Sequence, residues 1–286
     1  MNQDTRAFDA LLPPEMAAKA EALGAAKAQQ AGLRTFTLAV LGGAFIALGA
    51  AFSTTVVAGA NGTLPLGVTR LLAGASFSLG LILVSVGGAE LFTGNMLTAM
   101  AWASGCVRTR ALLTGWALAF AGNALGAIAT AALVFASGQY AFWGGDVGTA
   151  ALASAQHRLS FGFAQALALG VLGNALVCLA AWLALSARSA WDRIACVVPP
   201  VTAFVAAGFE HSIANLYFVP IALLIRDFAP AEFWVSAQLD PSDFASLSAT
   251  RFVAANLVPV VLGNMLGGAV LVGGVYWLVY LRARPR

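Results

Sequence analysis

Residues 90–95 read Glu-Leu-Phe-Thr-Gly-Asn, and residues 210–215 read Glu-His-Ser-Ile-Ala-Asn. Each segment sits in a long apolar stretch with no other charge in it, 71–107 around Glu90 and 194–225 around Glu210. A carboxylate followed by small polar residues is costly at that depth in hydrocarbon unless it is buried in protein or lines a cavity. Each stretch therefore reads as one membrane span broken near its middle.

Outward from these two, residues 35–69, 111–145, 159–187 and 252–281 also lack Asp, Glu, Lys and Arg. A crossing helix needs about 20 apolar residues, so each stretch holds one span and the chain carries six. Composition agrees. Of 286 residues 60% are hydrophobic and 9% charged, with a mean hydropathy of +0.85, whereas a soluble domain carries roughly 25% charge. A water-soluble enzyme is excluded, and the fold class is an all-α integral membrane protein.

The basic residues orient it. With the N-terminus inside, Arg6, Lys19, Lys27, Arg34, Arg108, Arg110, Arg188, Arg193, Arg282, Arg284 and Arg286 face the cytoplasm, and Arg70, Arg158, Arg226 and Arg251 face out. Both termini are then cytoplasmic. Residues 1–33 form a cytoplasmic N-terminal segment, 34–281 the six-span domain, and 282–286 a short basic tail. The first residues lack the apolar core and cleavage site of a signal peptide. A short amphipathic helix is expected over 15–31 on the inner surface, with Glu15 and Lys19 paired at i,i+4. The external segments 138–158 and 226–251 offer Trp143, Phe228, Phe233 and Trp234 to the membrane interface.

A cut near residue 150 exposes a repeat, about 34–137 against 159–281. Each half has three spans, the middle one interrupted by Glu-x4-Asn, and the third spans share Gly122-Asn-Ala-Leu-Gly126 and Gly263-Asn-Met-Leu-Gly267. Three is odd, so the second repeat runs inverted, the plan of many carriers and channels that bind at paired broken helices. In the first break Thr93-Gly94-Asn95 is a poor helix core. Gly94 offers unusual backbone angles, an unwound backbone and helix N-terminal dipole there favour an anion, and Thr93 adds a hydroxyl donor. Glu90 and Glu210 recur in both halves, which favours a structural role, each carboxylate capping backbone N–H groups of its own broken helix. His211 has no repeat counterpart and sits at membrane depth; imidazole titrates near neutral pH, so it is the candidate proton carrier. His157 lies in an external segment, solvated. Asn123, Asn174 and Asn264 can hydrogen-bond between helices or face a pore. Phe77, Leu81, Phe92, Val177 and Phe204 read as ordinary packing residues.

No Asn-Pro-Ala, no His-Glu-x-x-His and no nucleotide-binding motif occurs. Cys106, Cys178 and Cys196 have no metal-site or disulfide spacing, so no metal and no cofactor are expected. A net charge of +3 gives no footprint for nucleic acid.

These residues resemble the formate/nitrite transporter family. The resemblance is carried by Phe77-Ser-Leu-Gly-Leu81, Glu90–Asn95, Gly208–Asn215 and Gly263-Asn264, and runs from about 15 to 281. Ile225-Arg-Asp-Phe-Ala229 with Glu232-Phe-Trp234 looks like the formate-channel branch. The resemblance implies a homopentamer of aquaporin-like protomers with one pore each, in the bacterial inner membrane. It implies one apolar constriction at Phe77, Leu91 and Phe204, another at Leu81, Phe92 and Val177, and Thr93 and His211 in the chamber between them. Arg158 stands where formate channels carry a lysine at the outer vestibule. Asn174 and Asn264 join the expected pore residues, and Glu90, Gly94, Asn95, Glu210 and Asn215 are expected to shape the breaks. The expected function is passive, pH-dependent passage of formate and related monovalent anions such as acetate, with transient protonation by His211 and the N-terminal helix implicated in gating. Nitrite or hydrosulfide is the alternative substrate.

Overall fold

The structure is a computed structural model and describes residues 10–60 and 62–283. Arg6, Arg284 and Arg286 of the charge pattern lie outside the described residues.

The chain opens with α1 (Pro13–Ala28), whose prolines occupy positions where a missing N–H costs nothing. Glu15 accepts the Leu12 N–H at 2.8 Å, and Lys19 instead donates to the Leu185 carbonyl at 2.7 Å, so the expected Glu15–Lys19 pair does not form. Met16, Ala20 and Gly24, one turn apart, are buried with Ala17. This face lies on protein: a Cβ at Gly24 would come 3.0 Å from that of Ala101.

The first repeat continues as α2 (Gly32–Val57), α3 (Leu66–Gly87), a 3₁₀ turn at Gly94–Thr98, α4 (Ala99–Ala103) and α5 (Thr109–Ala136). The second follows as α6 (Asp146–Leu159), α7 (Phe163–Leu183), α8 (Ala190–Ala206), α9 (Ser212–Phe228) and α10 (Ala231–Ala237). Its last span, residues 249–280, is α-helical with π-helical turns at Phe252–Leu257 and Leu266–Gly274. Among the described residues five helices, α2, α3, α5, α7 and Pro241–Tyr280, are each long and apolar enough to cross a membrane. The sixth crossing is the broken one, α8 and α9, of 17 residues each. α10 bends off α9 by 112° and is only seven residues long, too short to add another.

Small residues let the spans of each repeat meet backbone to backbone, the packing favoured where lipid supplies no hydrophobic drive. A Cβ at Gly126 would collide with the Val40 carbonyl, and one at Gly267 with that of Val171, which places α2 on α5 and α7 on the last span in the same way.

Both breaks begin at a glycine in the left-handed region, Gly88 at φ +77° and Gly208 at +74°. The expectation that Gly94 makes the turn is corrected: it is not among the positive-φ glycines, and a Cβ there would meet nothing within 4 Å. The two breaks cut unequal pieces. The first leaves 22 residues in α3 and five in α4. Only α9, beyond the second break, is long enough to present a substantial N-terminal dipole.

Phe233 and Trp234 do not reach the interface. They are buried, packed edge-on against Tyr140 and tilted against Phe244 respectively, while Trp143 and Phe228 are exposed.

Candidate pore site

The site is built from the hydrogen bonds that close the two breaks, and these repeat nearly atom for atom. In the first, the Glu90 N–H donates to the Leu38 carbonyl at 3.1 Å. Asn123 Nδ2 donates to the Ala39 and Glu90 carbonyls at 2.7 and 2.9 Å, and its Oδ1 accepts the Phe92 N–H at 2.8 Å. In the second, the Glu210 N–H donates to the Leu169 carbonyl at 3.2 Å. Asn264 Nδ2 donates to the Gly170 and Glu210 carbonyls at 2.8 and 3.1 Å, and its Oδ1 accepts the Ser212 N–H at 2.9 Å. The two asparagines supply what the missing helical turns would have supplied, and both are fully buried. Asn264, expected in the pore, has both amide protons committed to backbone and acts as a tie.

That arrangement corrects the reading of the glutamates. With the backbone served by asparagine, the carboxylates do not cap helix N–H groups; each holds a cation. Lys27 Nζ donates to Glu90 Oε2 and Asn95 Oδ1, both at 2.7 Å. Arg158 Nε lies 3.8 Å from Glu210 Oε1 and donates to Asn215 Oδ1 at 3.1 Å. Glu210 Oε2 also accepts from Asn215 Nδ2 at 2.6 Å and Asn256 Nδ2 at 3.0 Å. Lys27 and Arg158 each stand one residue before the end of a short helix, α1 or α6, that leads into the first span of its repeat. The repeat thus begins with a surface helix carrying a cation, and Lys27 and Asn256 are participants that sequence reasoning missed. No sequence signal singled out Lys27, because Arg34 stands between it and the first charge-free stretch, whereas Arg158 stands directly ahead of 159–187.

The breaks meet at Thr93 and His211. Thr93 Oγ1 lies 2.9 Å from His211 Nε2, both side chains buried. His211 is the N-cap of α9, its Nδ1 accepting the Ala214 N–H at 3.1 Å. An accepting Nδ1 carries no proton, so the neutral ring holds its proton on Nε2 and donates it to Thr93 Oγ1. The Thr93 hydroxyl proton is thereby left to donate elsewhere. The Thr93 carbonyl accepts from Asn174 Nδ2 at 3.2 Å and Cys178 Sγ at 3.3 Å.

Apolar residues flank the pair. The Phe77 and Phe204 rings meet edge-on at 5.6 Å, and Phe204 stacks on His211 at 5.9 Å. Leu81 follows Phe77 by one turn of α3, Val177 follows Asn174 by about one turn of α7, and Phe92 packs on Phe120 at 5.2 Å; all are buried, as is Leu91. A cleft of about 530 Å³ reaches from exposed His157 and Asp146 and half-buried Arg70 to Phe77, Phe204 and His211. Arg158 lines it, its guanidinium 4.1 Å above the Phe218 ring. His157, expected to be merely solvated, also lines this cleft; burial first, then Arg158 and Arg70, hold its pKa below the ordinary 6.5 against the opposing pull of Glu210. Beside α1, Lys27, Arg108 and Arg110 line a cavity of about 350 Å³.

Two inverted repeats whose broken spans converge on a buried Thr–His pair, below a cleft walled by arginine and phenylalanine, define a membrane pore or carrier for a small polar solute. The model of the formate/nitrite transporter family matches residues 14–278, and the chain belongs to that family. It is 44% identical over 275 residues to the formate channel FocA of Escherichia coli K12, covering 96% of each chain. It is 39% identical over 282 residues to the formate channel FocB of the same organism, covering 97% of this chain and 98% of that one. Among solved structures, one described as a pentameric formate channel with formate bound superposes with a TM-score of 0.84 at 43% identity, over 88% of this chain and 98% of its own.

Proposed function

We propose that this protein is a passive channel for formate in the bacterial inner membrane, assembled as a homopentamer with both termini in the cytoplasm. The observation that carries the reading is the buried Thr93–His211 pair beneath the Phe77–Phe204 contact. Relatives that are formate channels along nearly their whole length support the substrate, and the pentameric neighbour supports the assembly.

Arg70 and Arg158 attract the anion into the outer cleft. Crossing the phenylalanine contact as a bare carboxylate costs several kcal/mol of desolvation. Crossing as the acid costs about 1.4 kcal/mol for each pH unit above the carboxyl pKa, roughly 4 kcal/mol at neutral pH. The apolar contact favours the neutral route, while the Thr93 hydroxyl can donate to the acid and to the anion alike. Flux then rises with acidity.

His211 is placed to act in two ways. As the neutral tautomer it orients Thr93. As a transient proton donor it must first become imidazolium, and protonating Nδ1 breaks its bond to the Ala214 N–H, so that role belongs to a state in which the α9 cap has opened. Formate uptake into proteoliposomes at about pH 7 and pH 5, with nitrite and hydrosulfide at equal concentration, tests the whole reading. Formate flux that rises in acid is expected. No formate flux refutes the channel assignment, and nitrite exceeding formate moves the protein to the other substrate. His211→Phe separates the two roles: an unchanged pH profile with reduced flux leaves only the orienting one.

A further inference from the structure

The cavity of about 350 Å³ beside α1 shares no lining residue with the outer cleft. It lies where the end of α1 meets the first turns of α2 and α5, and three cations line it, Lys27, Arg108 and Arg110, with no carboxylate. Among the described residues neither guanidinium has a hydrogen-bond or ion-pair partner. Lys27 gives two of its three ammonium protons to Glu90 and Asn95, which leaves one. Thr35, also in the lining, accepts from Gln30 Nε2 at 3.3 Å and keeps its own hydroxyl proton.

The backbone adds to this charge. α2 and α5, of 26 and 28 residues, both begin at the cavity, and neither has a side-chain cap or an acidic residue in its first turn. The positive ends of two long helices therefore meet at one space with their first N–H groups open. α1 ends there too, its negative pole answered by Lys27 in its last turn. Arg108 is the N-cap of α5 and Arg110 stands in its first turn, where the helix dipole disfavours a cation. The positive-inside bias accounts for basic residues at this end of the protein. It does not account for two of them on a helix's positive pole, around a cavity without a carboxylate. An anion offsets that repulsion. The depth of the cavity says which anion. The charge-free stretches of these two spans begin at residues 35 and 111, so Arg108 and Arg110 lie at headgroup level. Leu118, about two turns of α5 beyond Arg110, lines the deeper part, and exposed Leu33 and Leu113 flank the opening. Acyl chains can lie on that apolar surface, which suits a lipid and adds nothing for a soluble phosphate ester.

We infer that this cavity binds the phosphate group of an anionic phospholipid from the adjacent leaflet, with Arg108 and Arg110 meeting its charge and Lys27 donating its remaining proton. Basic pockets between membrane helices take such headgroups. The lipid then ties α1 to α5 without opening the Lys27–Glu90 pair. The site stands apart from the path, and its test does not depend on which solute passes.

Native mass spectrometry of the delipidated full-length protein, titrated with phosphatidylglycerol or with phosphatidylcholine of the same acyl chains, reads the binding directly. Wild type should hold phosphatidylglycerol at least about tenfold more tightly than phosphatidylcholine. Arg108→Gln/Arg110→Gln, at two exposed positions, should weaken phosphatidylglycerol about thirtyfold, each basic residue near the surface contributing about fivefold. Gly115→Leu tests the cavity itself: Gly115 lines it, a Cβ there meets nothing within 4 Å, and no charge is removed. It should lose the lipid as well. Arg193→Gln/Arg282→Gln removes the same charge from the same end of the protein, outside the cavity, and should bind as wild type does. Equal binding of the two lipids by wild type overturns the inference without any variant. So does an Arg193→Gln/Arg282→Gln protein weakened as much as Arg108→Gln/Arg110→Gln, or a Gly115→Leu protein that keeps its lipid, since either leaves only surface charge. Glycerol phosphate that binds as tightly as phosphatidylglycerol would give the cavity to a soluble ester and overturn the lipid assignment.

Discussion

Replacing Asn264 by leucine separates a structural tie from a pore-lining residue. The side chain makes three hydrogen bonds, to the Gly170 and Glu210 carbonyls and from the Ser212 N–H, at 2.8, 3.1 and 2.9 Å. Leucine has similar volume and makes none. The Ser212 N–H and the Glu210 carbonyl sit at a break, where no helical turn can take them over. An unpaired buried group costs about 1–3 kcal/mol, so the substitution should cost about 3–5 kcal/mol in all. At about 2–4 °C per kcal/mol for a chain of this size, the detergent-solubilised protein should unfold about 10 °C lower. The seven tryptophans give the signal: intrinsic fluorescence followed through a thermal ramp. Asn123→Leu, which breaks the equivalent three bonds, should shift the transition by a similar amount. An Asn264→Leu protein that melts within about 2 °C of wild type yet has lost formate flux would refute the argument and return Asn264 to the pore.

Other outcomes follow from the same geometry. Lys27→Met leaves Glu90, 8% exposed, without its cation; with Lys27 itself 39% exposed, the loss should be modest, about 1–2 kcal/mol, and limited proteolysis should cut α1 sooner than in wild type or Lys27→Arg. Equal cutting would mean the clamp does not hold the helix. Because the pKa of His157 is held below 6.5, the ring is neutral at pH 7, so His157→Gln should leave formate uptake between about pH 7 and 8 unchanged. His157→Lys adds a permanent charge to the cleft and should raise uptake about twofold at low salt, an effect that fades near 0.15 M as screening sets in. A His157→Gln protein slower at pH 7 would show that the ring is charged there after all. Thr93→Val keeps the shape and removes the hydroxyl, so folding should survive while formate flux falls at least about tenfold; unchanged flux would remove Thr93 from the path.

The spans were legible because their signal is local. Charge is too costly in hydrocarbon to be scattered, so its absence over 35–69 or 252–281 marks a crossing by itself. The breaks were legible for the related reason that Glu90 and Glu210 interrupt such runs, and Thr93 and His211 stood out as polar residues at that depth. The partners of the glutamates were not legible. Lys27 and Arg158 reach them across tens of residues, and the expectation that the carboxylates cap their own helices fails because Asn123 and Asn264 had already met those backbone groups. Gly88 was overlooked in favour of Gly94 because a glycine shows where left-handed backbone is affordable, while only the fold shows where it is needed. Phe233 and Trp234 illustrate a different limit: aromatic composition suits an interface belt and a small core between the spans' connecting segments equally well. The apolar flanking residues came from family resemblance alone, since in a chain this hydrophobic no periodicity separates Phe77 or Val177 from lipid-facing neighbours.

The clamp between α1 and the first break also bears on how the protein is handled. Anything fused ahead of Pro13 pulls on a helix whose Lys27 grips Glu90 and Asn95, so an N-terminal affinity tag is mechanically connected to the loop that carries Thr93. A fusion behind Leu281 loads the last span, which Asn256 and Asn264 tie to the second break at Glu210, Ser212 and Asn215. Transport measured on differently tagged preparations therefore compares two mechanical boundary conditions, one acting through the first break and the other through the second.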